Sequence, residues 1–247
     1  MNKDLNLAVL IDGDNIPSKY IKEMMEEIAK YGVPSIKRIY GDWTKPHLSK
    51  WKNILLDHAI QPIQQYGYTQ GKNATDSAMI IDAMDILYAG NTDGFCLVSS
   101  DSDFTRLATR LRESGQRVFG IGEQKTPEPF IVACDKFIYL EILHEEEEDT
   151  KKTKNKKQQK KAVQKVTPKV VKLIRQSIYD CADDDGWAFL GDVGSLINKK
   201  QPNFDPRNFG FYKLTPLIDS IGSFTIEERQ APNSRSKHIY VKNASKK

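Results

Sequence analysis

The chain has 247 residues, 39% of them hydrophobic, which is enough for one large or two modest domains with packed cores. Its formal net charge of +4 is mildly basic and only weakly indicates a nucleic-acid partner. No apolar run approaches the roughly 18 residues of a membrane span, the first residues lead directly into a predicted strand, and the three cysteines are isolated. We therefore expect a cytoplasmic protein with reduced thiols and no membrane contact.

Strand and helix patterns alternate along the first part of the chain. The predicted strands are residues 7–11, 36–40, 60–66, 95–99, 117–121 and 137–140. The predicted helices are residues 21–28, 48–59, 76–88 and 103–114, with a short one from Pro127. Because several of these strands are apolar throughout, the pattern indicates an α/β domain with a mostly parallel sheet and helices on both faces.

A composition change follows residue 144. An acidic block at 145–149 precedes a lysine-rich segment, and such a sequence cannot bury apolar surface. We expect a charged, solvated linker over 145–167, although its lysines also suit nucleic-acid phosphates. Beyond it, helices at 170–178, 190–197 and 213–220 and strands at 224–226 and 238–241 outline a small winged helix. The predicted domains are therefore 1–144 and 168–243.

Four aspartates lie at the predicted edge of the first sheet. Asp12 ends the first strand, Asp101 and Asp103 follow the strand at 95–99, and Asp76 opens a long helix. The C-terminal ends of parallel strands share one edge, so these carboxylates should meet there. At about 4 Å, each pair repels by roughly 4 kcal/mol at an effective dielectric near 20. Either some carboxylates stay protonated or a divalent cation neutralises them, and such cation sites usually perform phosphate chemistry.

Further polar residues stand beside these acids. Asn15 would orient a metal-bound water or, alternatively, cap the helix that follows Pro17. Lys72 would contact a phosphate or lie in solvent, while Ser99 and Ser100 supply small polar groups at the same edge. Asp103 would also serve as a helix N-cap without any chemistry.

Residues 5–143 resemble the NYN domains, a branch of the PIN-like metal-dependent ribonucleases that is similar to the LabA-like proteins. The resemblance rests on three blocks, LIDGDN at 10–15, GKNATD at 71–76 and VSSDSDF at 98–104. It carries the family's acidic cluster onto Asp12, Asp76, Asp101 and Asp103, with Asn15 beside them. No core acid is missing, and the resemblance implies Mg²⁺ or Mn²⁺ and hydrolysis of an RNA phosphodiester.

The implied mechanism is metal-assisted. One or two cations held by Asp12, Asp101 and Asp103 would polarise the scissile phosphate and lower the pKa of a bound water. Asp76 would hold a second cation or position that water. The four histidines form no pattern of this kind, and we expect His47 and the others to be structural or surface residues.

Residues 168–242 resemble an OST-HTH (LOTUS) domain, through the block FDPRNFGFYKL at 204–214 and the strand at 224–226. The family is associated with RNA binding and with protein contacts. Two features supply candidate RNA-binding residues. Tyr212 could stack on a base, and a basic face on the helix and wing comprises Arg207, Lys213, Arg229, Arg235 and Lys237. The alternative for Phe209, Phe211 and Tyr212 is burial in the core.

The sequence thus predicts a metal-dependent RNA endonuclease that acts on single-stranded or structured RNA, with a C-terminal domain that binds RNA or a protein partner. One alternative is a non-catalytic RNA-binding regulatory or scaffold protein. Another is a DxD phosphatase in which Asp12 is the nucleophile and Asp14 the acid/base. Against that alternative, Asn15 stands where such phosphatases normally have Thr or Val, and Asp76 has no role.

Overall fold

The structure is a computed structural model that describes residues 4–66, 74–143, 164–230 and 237–244. The chain separates into two compact units, Met1–Glu146 and Glu147–Lys247. Each unit has its own hydrophobic core. None of the helices in the described ranges has the length and apolar character needed to cross a bilayer.

The first unit is built on a six-stranded sheet in which every described pair of neighbouring strands is parallel. Its strands are β1 (Asn6–Asp12), β2 (Val33–Gly41), β3 (Gln61–Gln64), β4 (Gly94–Val98), β5 (Arg117–Gly122) and β6 (Lys136–Tyr139), in the order β3-β2-β1-β4-β5-β6. Its α-helices are α1 (Ile21–Ile28), α2 (Trp51–Asp57), α3 (Ala74–Ala89), α4 (Thr105–Glu113) and α5 (Glu128–Ala133). The predicted α/β fold is confirmed.

Strand β1 lies at the centre of this sheet, between β2 and β4. Its register places Ile11 opposite Val98 of β4 and Asp12 opposite Tyr40 of β2. All residues of β1 from Leu7 onward are buried, because both of its faces are covered. The carboxyl ends of β1 and β4 are therefore adjacent, and the residues that follow them share one edge.

Helix α3 packs over β1 and β2 with Met79, Ala83 and Ile86 in the core. Asp82 on the same helix accepts hydrogen bonds from the Arg38 guanidinium and the Tyr40 hydroxyl of β2. Burial, and then the bonded carboxylate, raise the pKa of Tyr40, so this hydroxyl stays a donor. These contacts fix the helix against the sheet and thereby place its first turn, which contains Asp76.

Neither of the two capping alternatives at the sheet edge is found in the structure. Asp103 is not the N-cap of the helix after β4, because Asp101 caps a 3-10 turn at Ser102–Phe104 and its Oδ1 accepts from the amide of Asp103 at 2.9 Å. Asn15 does not cap a helix either, because its side-chain amide donates to Asp12 instead. At the first position the capping residue is therefore Asp101, and at the second a bond to the Asp12 carboxylate takes the place of a cap.

Within its described residues, 164–230 and 237–244, the second unit contains three α-helices and a three-stranded antiparallel sheet in the order β7-β9-β8. Its elements are α6 (Pro168–Cys181), β7 (Trp187–Phe189), α7 (Leu190–Lys200), α8 (Leu214–Ile221), β8 (Phe224–Gln230) and β9 (Lys237–Asn243). The predicted helices and hairpin are confirmed, and β7 is an additional short strand. Asp205 caps a separate 3-10 turn, Pro206–Phe209, and Pro216 lies in the first turn of α8, where the missing amide does no harm.

Candidate active site

Three of the four predicted aspartates form a cluster at the carboxyl edge of the first sheet. Asp76 lies in the first turn of α3, while Asp101 and Asp103 lie in the segment between β4 and α4. One carboxylate oxygen from each of the three lies within 4.8 Å of the other two. Convergent carboxylate oxygens are the donors that hard divalent cations prefer.

Asp12 lies outside that group of three, but its negative charge contributes to the raised pKa of Asp76. The side chain is only 1% exposed, and its Oδ2 accepts from the Asn15 amide at 2.7 Å and from the Ser99 hydroxyl at 2.8 Å. Its Oδ1 is buried and has no hydrogen-bond donor among the described residues. Burial raises the pKa of Asp12, and the bonds from Asn15 and Ser99 partly offset this by stabilising the ionised form.

The electrostatic cost of the cluster is concentrated on Asp76. Desolvation, and then repulsion by Asp12, Asp101, Asp103 and Asp14, raise the pKa of Asp76 to about 6. The order of these causes means that burial contributes most and that four other carboxylates add to it. A bound cation would reverse the unfavourable interaction by neutralising these charges.

Strand ends and short hydrogen bonds set the position of the acids. The amide of Gly13 donates to the carbonyl of Tyr40 at 2.9 Å, and a Cβ on Gly13 would lie 2.9 Å from that oxygen. The close approach requires glycine and turns the chain so that Asn15 returns to Asp12. The Ser99 hydroxyl donates to Asp12 and accepts from the amide of Asp101 at 3.1 Å, so it links the residues that follow β4 to the end of β1.

Ser100 supports the site from a greater distance. Its hydroxyl accepts from the amide of Glu123 at 2.8 Å, just after β5 ends at Gly122. Ser99 therefore holds Asp12 directly, whereas Ser100 holds the neighbouring loop. Lys72, the remaining supporting candidate, lies outside the described residues.

Sequence reasoning missed a second polar group beside the cluster. Asp14 Oδ1 lies 3.1 Å from Nε2 of His47, and Asp14 Oδ2 accepts from the Thr75 hydroxyl at 3.0 Å. His47 is 53% exposed and Asp14 24% exposed, so the pair lies at the rim. The available signal was local: Asp14 comes two residues after Asp12, and Thr75 directly precedes Asp76.

Most described cationic candidates in the second unit already have acidic partners. Arg207 binds Asp205 through two nitrogens, at 3.0 and 2.7 Å, and only 17% of its side chain is exposed. Lys237 pairs with Glu228 at 2.8 Å. The expected basic face is therefore partly neutralised by neighbouring carboxylates.

Arg229 is held by stacking as well as by charge. It pairs with Glu227 at 3.1 Å, and its guanidinium lies 4.8 Å from the ring centre of Trp187 and 4.6 Å from that of Tyr240. These cation–π contacts order the outer face of the small sheet.

The two adjacent candidates Tyr212 and Lys213 are exposed, and Tyr212 retains 54% of its exposure. The expectation that Tyr212 is a core residue is thus wrong, whereas Phe209 is buried and Phe211 is partly buried in the core. Arg235 lies outside the described residues.

A parallel α/β sheet with aspartates at its carboxyl edge defines a PIN-like domain, here accompanied by a small winged-helix unit. Residues 6–141 match the NYN domain model, and residues 161–235 match the OST-HTH/LOTUS domain model. The first match spans more than half of the chain, so the chain belongs to the NYN domain family, and both predicted resemblances are confirmed. NYN domains are PIN-like nuclease domains, and OST-HTH/LOTUS domains bind RNA.

Three similar proteins accompany the family matches. An uncharacterized protein of Methanocaldococcus jannaschii is 26% identical over 124 residues, which are 48% of this chain and 48% of that protein. The chain thus matches about half the length of this curated relative. The solution structure of an uncharacterized Nitrosomonas europaea protein is 31% identical, with a TM-score of 0.33 and coverage of 40% of this chain and 92% of that one. The crystal structure of a Vibrio parahaemolyticus protein of unknown function is 19% identical, with a TM-score of 0.46 and coverage of 56% and 93%.

Proposed function

We propose that this protein is a metal-dependent RNA endonuclease and that Asp12, Asp76, Asp101 and Asp103 form its catalytic centre. The observation that carries the proposal is the convergence of carboxylate oxygens from Asp76, Asp101 and Asp103 within 4.8 Å of one another. Membership of a PIN-like nuclease family gives this acidic group its chemical context. The same membership favours a nuclease over the DxD phosphatase.

The residues at the cluster fit a divalent cation. All the proposed ligands are carboxylates, which suit Mg²⁺ or Mn²⁺. The buried Oδ1 of Asp12, which has no donor among the described residues, is an unsatisfied acceptor that a bound cation would satisfy. When bound, the cation would supply Lewis acidity towards the scissile phosphate and a lowered pKa for an attacking water.

The protein side chains then have distinct roles. Asp12 is fixed by Asn15 and Ser99 and provides a rigid ligand from the centre of the sheet. Asp101 and Asp103 provide ligands from the segment after β4. Asp76, whose pKa is raised to about 6, approaches from α3 and orients the water or holds a second cation.

The C-terminal unit is proposed to bind the RNA substrate. Its domain family supports this role, and the exposed pair Tyr212 and Lys213 offers a ring for stacking and a cation for a phosphate. The proposed division is a nuclease domain at 1–144, a charged linker at 145–167 and a winged helix at 168–243. A protein partner for the winged helix and a cytoplasmic location remain predictions.

Cleavage of a fluorescent single-stranded RNA in Mn²⁺ or Mg²⁺ tests the proposal. The wild-type protein should cut the RNA with metal and stop in EDTA. Asp12→Asn and Asp101→Asn should abolish cutting, while Asp57→Asn, an exposed aspartate on α2, should leave it unchanged.

The other outcomes separate the alternatives. Cutting that survives both substitutions at the cluster would exclude this site. Tight RNA binding without cutting by any form would favour the non-catalytic regulatory or scaffold protein. Turnover of small phosphomonoesters that Asp12→Asn abolishes would favour the phosphatase.

A further inference from the structure

Helix α4 carries two exposed arginines on a face that begins at the aspartate cluster. Asp103 lies in the 3-10 turn that leads into α4, and Arg106 and Arg110 follow it by three and seven residues. Residues at these spacings lie on one face of a helix. We call Arg106 and Arg110 the arginine row; it starts beside the candidate ligands.

Neither arginine of the row forms an ion pair with a carboxylate among the described residues. Arg110 donates to the neutral hydroxyl of Ser114 at 2.9 Å. Arg112, on another side of the same helix, differs because it pairs with Asp135 at 3.2 Å. The row therefore keeps two guanidinium charges available to a ligand from solution.

A nucleic-acid strand that reaches the cluster needs such charges. Several carboxylates surround the site, and they repel the phosphates on either side of the scissile bond. Guanidinium groups bind phosphate through paired hydrogen bonds and offset that repulsion. Four residues of helix advance about 6 Å along its axis, which is comparable to one nucleotide of extended single strand.

We propose that Arg106 and Arg110 hold two successive phosphates of a single-stranded RNA, so that the strand leaves the aspartate cluster along α4. The proposal rests on the proposed function for the location of the scissile bond, and it adds the path of the flanking strand. Glu113 ends the path, because it follows Arg110 by three residues on the same face, is exposed and carries a negative charge.

The test measures binding of the full-length protein to a labelled single-stranded RNA in EDTA over a series of salt concentrations. The variant replaces both residues of the row, Arg106→Gln with Arg110→Gln. Each phosphate contact on a single strand contributes about 0.7 to the slope of log affinity against log salt, so the slope should fall by about 1.4. Affinity at low salt should fall about ten-fold or more.

A matched control removes the same net charge elsewhere in the domain. Arg112→Gln with Arg117→Gln changes two arginines that face Asp135 rather than the row, and it should retain the wild-type slope. Glu113→Gln should tighten binding, because it removes the negative charge that ends the path. Circular dichroism checks that each variant is folded.

Either of two results overturns the proposal: a wild-type slope in the variant of the row, or an equal loss in both double variants, which would reflect net charge alone. Because binding is measured without metal, the result is independent of catalysis. If the salt dependence falls in the Arg106→Gln, Arg110→Gln variant but the wild-type protein never cuts RNA, the arginine row is supported and the proposed nuclease is excluded. If the wild-type protein cuts RNA through the aspartates but the variant of the row keeps the wild-type slope, the nuclease is supported and the arginine row is excluded.

Discussion

The hydroxyl of Thr75 donates to Oδ2 of Asp14 at 3.0 Å and joins two segments that are 61 residues apart. Thr75 directly precedes Asp76, and Asp14 comes two residues after Asp12. This single hydrogen bond therefore ties the first turn of α3 to the loop after β1. Together with the bonds from Arg38 and Tyr40 to Asp82, it positions the Asp76 carboxylate relative to that of Asp12.

Thr75→Val should weaken metal binding without unfolding the domain. The substitution keeps the shape of the side chain and removes the donor, so we expect a loss of about 1 kcal/mol in stability. Residues that orient metal ligands typically affect metal affinity by about ten-fold or more. The Mn²⁺ affinity is measured from the change in melting temperature during a titration with Mn²⁺. Thr109→Val, which removes a hydroxyl bonded only to a helix carbonyl, should leave Mn²⁺ affinity unchanged.

Asp76→Asn should stabilise the metal-free protein at neutral pH. The pKa of Asp76 is raised from 3.8 to about 6, so the folded state binds the proton more tightly than the unfolded state does. The free energy of unfolding of the wild type should fall as pH rises between these values, and the reduced stability should persist above them. Because the side chain is partly solvated, we expect an advantage for the variant on the order of 1 kcal/mol at pH 7.

Urea unfolding in EDTA at pH 4 and pH 7 measures this advantage, which should vanish at the lower pH. Asp57→Asn, which changes an exposed carboxylate on α2 outside the cluster, is the matched control. Saturating Mn²⁺ should reverse the order at pH 7, since a ligand at 100 times its dissociation constant adds about 2.7 kcal/mol. Equal stabilities of wild type and Asp76→Asn in EDTA at pH 7 would contradict the expected repulsion.

Ser99→Ala should shift the acidic limb of activity towards higher pH. The Ser99 hydroxyl stabilises the ionised form of Asp12, so its loss raises the pKa of Asp12 further. A larger fraction of Asp12 is then protonated at a given acidic pH, and metal-dependent cleavage falls there first. The buried carboxylate also loses a donor, which should cost about 1–3 kcal/mol in stability.

Ser100→Ala is the paired control for that experiment. Its hydroxyl bonds to the amide of Glu123 rather than to Asp12. The Ser100→Ala variant should be less stable than the wild type, but the acidic limb of its pH–rate profile should not move. A similar shift in both variants would mean that loop stability, and not the pKa of Asp12, governs the profile.

Arg207→Ala and Lys213→Ala should behave in opposite ways. Arg207 is largely covered and held by both oxygens of Asp205, so its loss should cost about 2 kcal/mol in stability. Lys213 is exposed, so its loss should leave the melting temperature nearly unchanged and weaken RNA binding. Thermal melting together with fluorescence anisotropy on RNA separates the two effects. Unchanged RNA affinity in Lys213→Ala would remove this residue from the proposed interface.

The placement of Asp12 and Asp101 was predictable because each follows a continuous apolar run, and such runs become central parallel strands. Their hydrogen bonds were less predictable. Whether Asp101 or Asp103 caps the turn depends on where the turn begins, and the two aspartates are only two residues apart and equally suited to a cap. Asn15 bonds to Asp12 rather than capping a helix, and this bond likewise depends on the buried position of the Asp12 carboxylate in the folded sheet.

Contacts between distant segments were the least accessible from the sequence. The pairing of Asp14 with His47 and Thr75 requires the packing of α3 and of the 3-10 turn at Pro46–Lys50 beside the end of β1. Asp205 and Arg207 are only two residues apart, and Asp205 both caps the turn and neutralises Arg207. The sequence pattern does not distinguish a capping aspartate from one that forms an ion pair. Side-chain geometry, rather than residue type, decides these cases.

The adjacency of β1 and β4 also has a consequence during synthesis. Asp12 and Asp101 are separated by nearly ninety residues, and only the pairing of these two strands brings them to one edge. Such non-local parallel pairing is among the slower steps in forming a sheet. A nascent chain in which only β1 to β3 have emerged from the ribosome still lacks three of the four proposed carboxylates. The proposed catalytic centre can therefore assemble only after the fourth strand has emerged and joined the first.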